Sequence, residues 1–481
     1  MLPLNSKTAR KPAKPERIIQ FGEGNFLRAF ADWIVSIMNE RAGFNGSVVV
    51  VKPTPRGNLD AFQRQDCLYH VNLQGIEKGQ VRDSYRLVDV ISRAVNPYVQ
   101  FDEYMKLAEL PDVRFIISNT TEAGIVFDPS CRFEDRPAVS YPGKLAQLLF
   151  HRFQYFHGDK DKGVVILPCE LVFQNGHRLK EAIEQYIELW QLGNDFDEWF
   201  HSACRVCATL VDRIVPGFPA KTIDSIKEKL QYDDNLVVQG EVYHLWVIEA
   251  PESVAREFPA QACGLNVQFV ADEAPYHQRK VTLLNGPHTL LSPVAYLSGI
   301  DIVRDACQDE TVGAYVRKVM YDELLETLDL PKGELRQFAD DVLERFTNPF
   351  IDHQVTSIML NAFPKFATRD LPGLKEYFRR KGKLPAGIVF GLAALITYYK
   401  GGDREDGKPI APNDAPEIMQ LLAEAWQCGN EQEVAGKVLG SRMLWQEDLT
   451  RIPGLQDLLA LYLKAIRQSG MRAAVKQMLN Q

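Results

Sequence analysis

Within one largely apolar run, Lys280-Val-Thr-Leu-Leu-Asn285-Gly286-Pro287-His288, the chain places an amine, a carboxamide and an imidazole. Reducing a ketone, or oxidising a secondary alcohol, needs one group that exchanges a proton with the reacting oxygen. It also needs others that hold the charge developing there. A lysine serves as the proton carrier when burial lowers its pKa toward working pH, and the Val-Thr-Leu-Leu that follows Lys280 suits that. Asn285 and His288 are then expected to supply neutral hydrogen-bond donors at the oxygen. Taken singly, each residue has a plainer role open to it: surface lysine, capping asparagine, core histidine.

The element carrying them must bring them to one side. On a continuous helix of about 3.6 residues per turn, Asn285 stands roughly 140° and His288 roughly 80° from Lys280, a broad common face. Gly286-Pro287 interferes, because a proline inside a helix deletes a hydrogen bond. The pair predicts a kink, or a new helix with Pro287 in its first turn.

The stretch lies between a half with strand patterns and a half without them. In the first half, Arg17 to Phe21 reads as a short buried strand running into Gly22-Glu-Gly24-Asn-Phe-Leu-Arg28 and a helical pattern through Asn39. Strand, glycine turn and helix open a dinucleotide-binding βαβ unit, although the third glycine of the fingerprint is replaced by Leu27. A second strand, Ser47 to Val51, ends in Lys52 where an NAD site would have an acid. That feature fits either a 2′-phosphate, and so NADP, or a solvated turn.

Further strands are expected at Tyr85 to Val90, Val113 to Ser118 and Gly163 to Leu167. Asn119-Thr-Thr121-Glu122 then falls at a strand's carboxyl end, as a ligand contact or as a helix cap. Glu170 falls there too, as an active-edge acid or a surface loop acid. Cys204 and Cys207 read as two small residues on a core helix, since no second CxxC completes a zinc site. Asp212-Arg213 lies in an apolar run, where each needs the other or a ligand. Glu241 to Glu249 alternates like one half-buried strand.

From Asp272 onward the pattern is helical: Glu310 to Leu328, Gly333 to Phe346, His353 to Asn361, Leu374 to Lys381, Ala386 to Tyr399, and more after a loop to Leu479. The expected division is residues 1–272 and 273–481, an α/β domain followed by a mainly helical one. At 481 residues two domains are the natural expectation.

The formal net charge of -8, from 55 basic and 63 acidic residues, disfavours nucleic acid or an anionic membrane as partner. The longest apolar run, Ala386 to Tyr399, is too short to span a bilayer. Met1 to Arg17 has no apolar core of the secretory kind, so a cytoplasmic location is expected. Eight scattered cysteines do not resemble a disulfide framework.

Seven motifs in one order give the chain a family resemblance. They are Gly22-x-Gly24-Asn-Phe-x-Arg28, Thr121-Glu122-x-Gly124, Cys169-Glu170 with Asn175-Gly176, Val211-Asp-Arg213-Ile-x-Pro216, Trp246-Val-Ile-Glu249, Lys280-x4-Asn285-x2-His288 and Arg345-Phe-x-Asn348-Pro-x-Ile351-Asp352. Together they resemble the polyol-specific long-chain dehydrogenases, the mannitol dehydrogenase family. The resemblance implies a metal-independent, NAD-dependent oxidoreductase with a Rossmann-type N-terminal domain and a helical substrate-binding domain. It implies that Lys280 is the general acid/base and that Asn285 and His288 bind the reacting oxygen. NAD would contact Ile19, Phe21, Gly22, Gly24, Asn25, Phe26, Leu27, Arg28, Thr121 and Glu122. The family's second oxyanion-binding Asn is replaced by Leu171.

Pro168-Cys-Glu-Leu171 with Asn175-Gly176, and Leu283-Leu-Asn-Gly-x-His288-Thr, are similar to the branch that reduces tagaturonate to altronate in hexuronate catabolism. Sister activities on fructuronate or fructose are the nearest alternatives, and a nucleotide-binding scaffold without catalysis is a further one. The implied partner is a small sugar acid, with Lys365 and Arg369 as candidate ligands of its carboxylate or simply surface charges. Oligomeric state is not legible.

Overall fold

The structure, a computed structural model, describes residues 1–120 and 124–480. The chain divides into two compact units, Met1–Ala274 and Pro275–Gln481.

The strands, in chain order, are β1 (Leu2–Pro3), β2 (Glu16–Phe21), β3 (Ser47–Val51), β4 (Tyr69–Glu77), β5 (Gln80–Val88), β6 (Ile91–Val95) and β7 (Phe115–Ser118). They continue with β8 (Val165–Pro168), β9 (Arg205–Val206), β10 (Thr209–Asp212), β11 (Tyr232–Asp233), β12 (Val238–Glu241), β13 (Leu245–Glu249) and β14 (Val267–Val270). Six form one sheet in the order β6-β3-β2-β7-β8-β9, every pair parallel. Numbered by their succession in this sheet, that is the doubly wound order 3-2-1-4-5-6 of dinucleotide-binding folds. The apolar runs dictate it: strands buried on both faces read as unbroken Val/Ile sequences. Alternate residues serve two cores, Ile18, Val48, Val50 and Ile117 on one face and Ile19, Val49, Val51 and Ile116 on the other.

Two smaller sheets, β12-β4-β5 and β10-β13-β14, complete the first unit with the β1-β11 pair. The expected strand Tyr85 to Val90 is the end of β5, antiparallel to β4 and finished at Val88; the parallel sheet takes its strand from the residues after it, Ile91–Val95. Glu241 to Glu249 is likewise two strands in different sheets. Tyr243 and His244 lie between β12 and β13, and the carbonyls of Val242 and Tyr243 both accept from Arg213. Arg213 therefore spends its guanidinium on carbonyls, Ala29's included. The helix Asn194–Ala203 stops before the cysteine pair; Cys204 is its C-cap and Cys207 follows β9, so the two do not share a helix.

The second unit is helical. Its centre is Ala386–Tyr398, apolar on all sides and almost wholly buried. Gly391 lets Leu290 of the helix Gly286–Leu297 approach so closely that a Cβ would lie 2.5 Å from Leu290 Cδ2. The first N–H groups of the central helix are capped by buried Glu323, which accepts from Gly387 at 2.8 Å and Ile388 at 2.9 Å. The expected helix His353 to Asn361 shrinks to Val355–Met359. Asn361, left-handed at φ 52°, then starts a separate helix, Ala362–Arg369. Among the described residues no helix is long and apolar enough to cross a membrane.

Candidate active site

At the carboxyl end of β2 the chain turns through Gly22, whose φ of +133° excludes other residues. A Cβ there would also stand 3.0 Å from Leu27 Cδ1 and 3.1 Å from the Asn119 carbonyl. Leu27 thus fills the space beside the turn that the missing third glycine would leave bare. Asn119 follows β7 and donates its backbone N–H to the Phe21 carbonyl, so the loops after β2 and β7 meet where the strand order reverses. Doubly wound sheets bind nucleotides there.

Gly24 begins the helical run Asn25–Arg41, and a Cβ on it would meet nothing within 4 Å. Bare backbone with open space before it, at a helix start with no side-chain cap, fits a pyrophosphate. Ile19, Phe21 and Leu27 are buried, so any part they take is through backbone. Arg28 is buried as well; its guanidinium donates to Leu236 O and Asn25 Oδ1 and faces the Tyr69 ring. Thr121 and Glu122 lie outside the described residues.

Lys52 decides between its two readings in favour of neither. It is fully buried, and its ammonium is held by the carbonyls of Thr54 and Arg56. The turn is not solvated at this residue, and the amine is engaged with its own loop instead of being presented to a 2′-phosphate. Glu170 is not a surface acid either. It is buried and accepts from Ser118 Oγ at 3.1 Å and from the Thr120 N–H and Oγ at 2.9 and 3.0 Å; burial raises its pKa. Leu171, next to it, is 64% exposed.

In the helical unit, Lys280, Asn285 and His288 lie on one uninterrupted helical element. Ala274–Lys280 is α-helical, Val281–Asn285 is a π turn, and Gly286–Leu297 is α-helical again with Pro287 in its first turn. The π turn is marked by the Gly286 N–H donating to Val281 O, five residues back. The expected break at Gly286-Pro287 is therefore a bulge in a continuous helix. Its extra residue absorbs about 100° of rotation, so Asn285 moves from about 140° to about 40° from Lys280 and His288 from about 80° to about 20°. The three come into near alignment.

Lys280 is partly exposed. Its charge reaches His277, whose pKa is lowered by burial first and by Lys280 next. The Asn285 carboxamide has no hydrogen-bond partner among the described residues, while the residue's backbone carbonyl accepts from Thr289 Oγ1 at 3.1 Å. His288 lies with its ring centroid 4.0 Å from Phe346 and 5.2 Å from His353. Its pKa is driven well below the usual imidazole value by burial, then by His353, Arg345 and Arg369; the Leu284 carbonyl opposes them.

That carbonyl lies 3.1 Å from Nδ1. A carbonyl only accepts, so the contact favours the tautomer with the proton on Nδ1, in which the neutral ring offers Nε2 as an acceptor for a hydroxyl hydrogen.

Beside these residues is a pocket of about 410 Å³ within the helical unit, in the range of small-ligand sites. Asn285, His277, Thr282, Thr327, Arg369 and Glu376 are among its walls; Lys280 and His288 are not. His277 was legible as the residue one helical turn before Lys280. Thr327 carried no signal. Arg369 reaches the pocket from the end of the helix Ala362–Arg369, whereas Lys365 turns its ammonium to the Ile358 carbonyl at 2.7 Å.

A doubly wound parallel sheet followed by a helical unit is an architecture of Rossmann-type dehydrogenases. The family profiles agree: residues 16–261 match the mannitol dehydrogenase Rossmann domain and 272–467 the mannitol dehydrogenase C-terminal domain. The chain belongs to the mannitol dehydrogenase family and is an oxidoreductase acting on a CH–OH group.

Among its relatives, the altronate oxidoreductase of Phocaeicola vulgatus is 67% identical over 479 residues, covering 100% of both chains. That of Bacillus subtilis is 45% identical over 96% of this chain and 95% of its own. A substrate-free D-sorbitol dehydrogenase matches with a TM-score of 0.80 at 20% identity, covering 98% of this chain and 100% of that one. The Pseudomonas fluorescens mannitol 2-dehydrogenase in ternary complex with NAD and D-mannitol matches at 0.65 and 19%, covering 100% of both chains. These two likenesses show the fold.

Proposed function

We propose that this protein interconverts D-tagaturonate and D-altronate in hexuronate catabolism, using NAD and no metal. The substrate reading is supported by full-length identity to altronate oxidoreductases. The observation that carries the chemistry is the π turn that aligns Lys280, Asn285 and His288. The nucleotide reading is supported by the glycine turn at the sheet's switch point and by a Lys52 already engaged by its own loop. Backbone of Ile19 to Arg28 would hold the pyrophosphate.

Held there, NAD would supply the hydride for the ketone carbon in reduction and would accept it in oxidation. As the carbonyl carbon gains hydride, the Lys280 ammonium gives its proton to the oxygen; in oxidation the neutral amine takes that proton away. The Asn285 amide donates to the same oxygen and stabilises its partial negative charge. His288 Nε2 accepts the hydroxyl of the alcohol form, or a neighbouring hydroxyl, and fixes the chain's orientation. With Leu171 in place of a donor, Asn285 and Lys280 hold the oxygen.

Initial rates on tagaturonate, fructuronate and fructose, each with NADH and NADPH, test the reading. Tagaturonate with NADH is expected to be fastest, and faster turnover of fructose would sink it. Lys280→Ala is expected to cut turnover by about 10²–10⁴-fold while NADH binding is kept. Unchanged turnover would mean that Lys280 is not the proton carrier.

A further inference from the structure

A ketouronate differs from a neutral ketose by a carboxylate at the opposite end of the carbon chain from the ketone. Among the described residues that line the pocket with Asn285, Arg369 is the cation placed to meet it. It donates through Nη1 to Thr289 Oγ1 at 3.1 Å and makes no ion pair among the described residues. None of its nitrogens is buried without a partner, so the rest of the fork opens into accessible space.

The acids nearby make no ion pair with it among the described residues. Asp370, next in the chain, is fully buried with both carboxyl oxygens unpartnered; burial pushes its pKa up, and the charge of Arg369 opposes that shift. Glu376, on the pocket wall, is committed to Arg379 and Arg380 at 2.6–2.8 Å.

Thr289, behind the pocket wall, links two of its lining residues. Its hydroxyl accepts from Arg369 and donates to the backbone carbonyl of Asn285 at 3.1 Å, which ties the guanidinium to the helix turn that carries the carboxamide. Pro372 and Gly373, at the start of the helix Leu371–Lys381, line the same pocket, and Asp370 makes no side-chain cap there. The positive end of that helix adds to the field of the guanidinium.

We propose that Arg369 is the specificity-determining residue that binds the substrate carboxylate, with Asn285 at the ketone end of the same pocket. The inference rests on the ketouronate reading of the preceding section. A planar guanidinium suits a carboxylate because it can offer two parallel N–H groups.

Arg369→Ala and Arg369→Lys, each checked for an unchanged melting temperature and NADH affinity, are to be assayed on tagaturonate and on fructose. For Arg369→Ala the tagaturonate KM is expected to rise about 10- to 100-fold, with kcat within about threefold, while fructose kinetics stay put. Arg369→Lys is expected to be intermediate, and added guanidinium ion to restore part of the Ala variant's affinity. An equal loss on both substrates, or an unchanged tagaturonate KM, overturns the inference even if the wild type proves a tagaturonate reductase. A wild type that reduces fructose and no ketouronate overturns the functional reading, and this inference with it. Should both variants unfold, binding of D-altronate to Arg369→Gln by calorimetry decides the matter: wild-type affinity refutes it.

Discussion

Replacing His288 by Asn and by Gln separates the two nitrogens of the ring. Asn sets an amide near the position of Nδ1, where it can still donate to the Leu284 carbonyl 3.1 Å away. Gln reaches the position of Nε2, where its carbonyl can accept as the neutral ring does. Each loses contact with Phe346, whose ring lies 4.0 Å off, a loss of about 1 kcal/mol common to both. The Leu284 bond adds about 1 kcal/mol to stability, which Asn keeps and Gln forfeits. Loss of a group that orients the substrate costs about 10²-fold in turnover. His288→Asn should therefore be the more stable and the less active variant, down about 10²-fold in kcat/KM on tagaturonate, while Gln stays within about tenfold.

The pH profile provides the second half of the test. Burial, His353, Arg345 and Arg369 hold the imidazole neutral to well below its usual value. The wild type should then show no inflection in kcat/KM near pH 6.5 that disappears in the Gln variant. Stopped-flow kinetics from pH 5 to 9 and ¹⁵N shifts of the ring report activity and tautomer. An Asn variant more active than Gln, or an Nε2–H tautomer, refutes the assignment.

Asp32 gives a prediction on stability. Burial raises its carboxyl to about 7 against hydrogen bonds from Tyr69 and Gln20. A folded pKa above the unfolded one means that the folded state binds more protons, so this stability is present below about pH 4 and is lost as pH rises through 7. Asp32→Asn should flatten urea midpoints between pH 5 and 8 and gain up to roughly 4 kcal/mol at the alkaline end; parallel curves would contradict it. Gly24→Ala and Gly176→Ala should part company. A Cβ at Gly24 meets nothing within 4 Å, so the fold should hold while NADH affinity falls about tenfold or more in fluorescence titration. At Gly176 it would stand 2.4 Å from the backbone of Cys207 and Ala208, and melting should show a loss of about 2 kcal/mol or more.

The middle of the parallel sheet was legible because β3, β7 and β8 are short apolar runs and β2 is nearly so; its edges, β6 (Ile-Ser-Arg-Ala-Val) and the two-residue β9, were not. The β4-β5 hairpin was not, although Tyr69-His-Val-Asn-Leu alternates. His70 and Asn72 face inward and are satisfied by Asp234, Asp83 and Gln239, partners distant in sequence for two of the three. Arg369 was legible as a type and not as a place. Its short helix opens with a left-handed Asn361, which the sequence assigns to the end of the helix before it, and holds Pro364, which reads as loop. Asn175 shows the limit from the other side. It is a family motif residue, yet its side chain ties Pro168, Glu170 and Thr209 together, which is structural work a motif alone does not distinguish from ligand binding.

The π turn lies between these cases. Spacings of five and eight are out of phase with an α-helix, and on that basis Lys280, Asn285 and His288 form a loose arc. Subtracting one residue gives four and seven, the spacing of a helix stripe. A proline just after the interval strengthens that reading, because Pro287 has no N–H to give to the preceding turn and the wider turn leaves room for its ring. Spacing that is one residue too long, followed by proline, is thus a pattern that the sequence carried and that physical chemistry interprets. Inserting a residue is one way for a helix to turn existing groups by about 100° without moving the core face beyond it, where Leu290 remains set against Gly391.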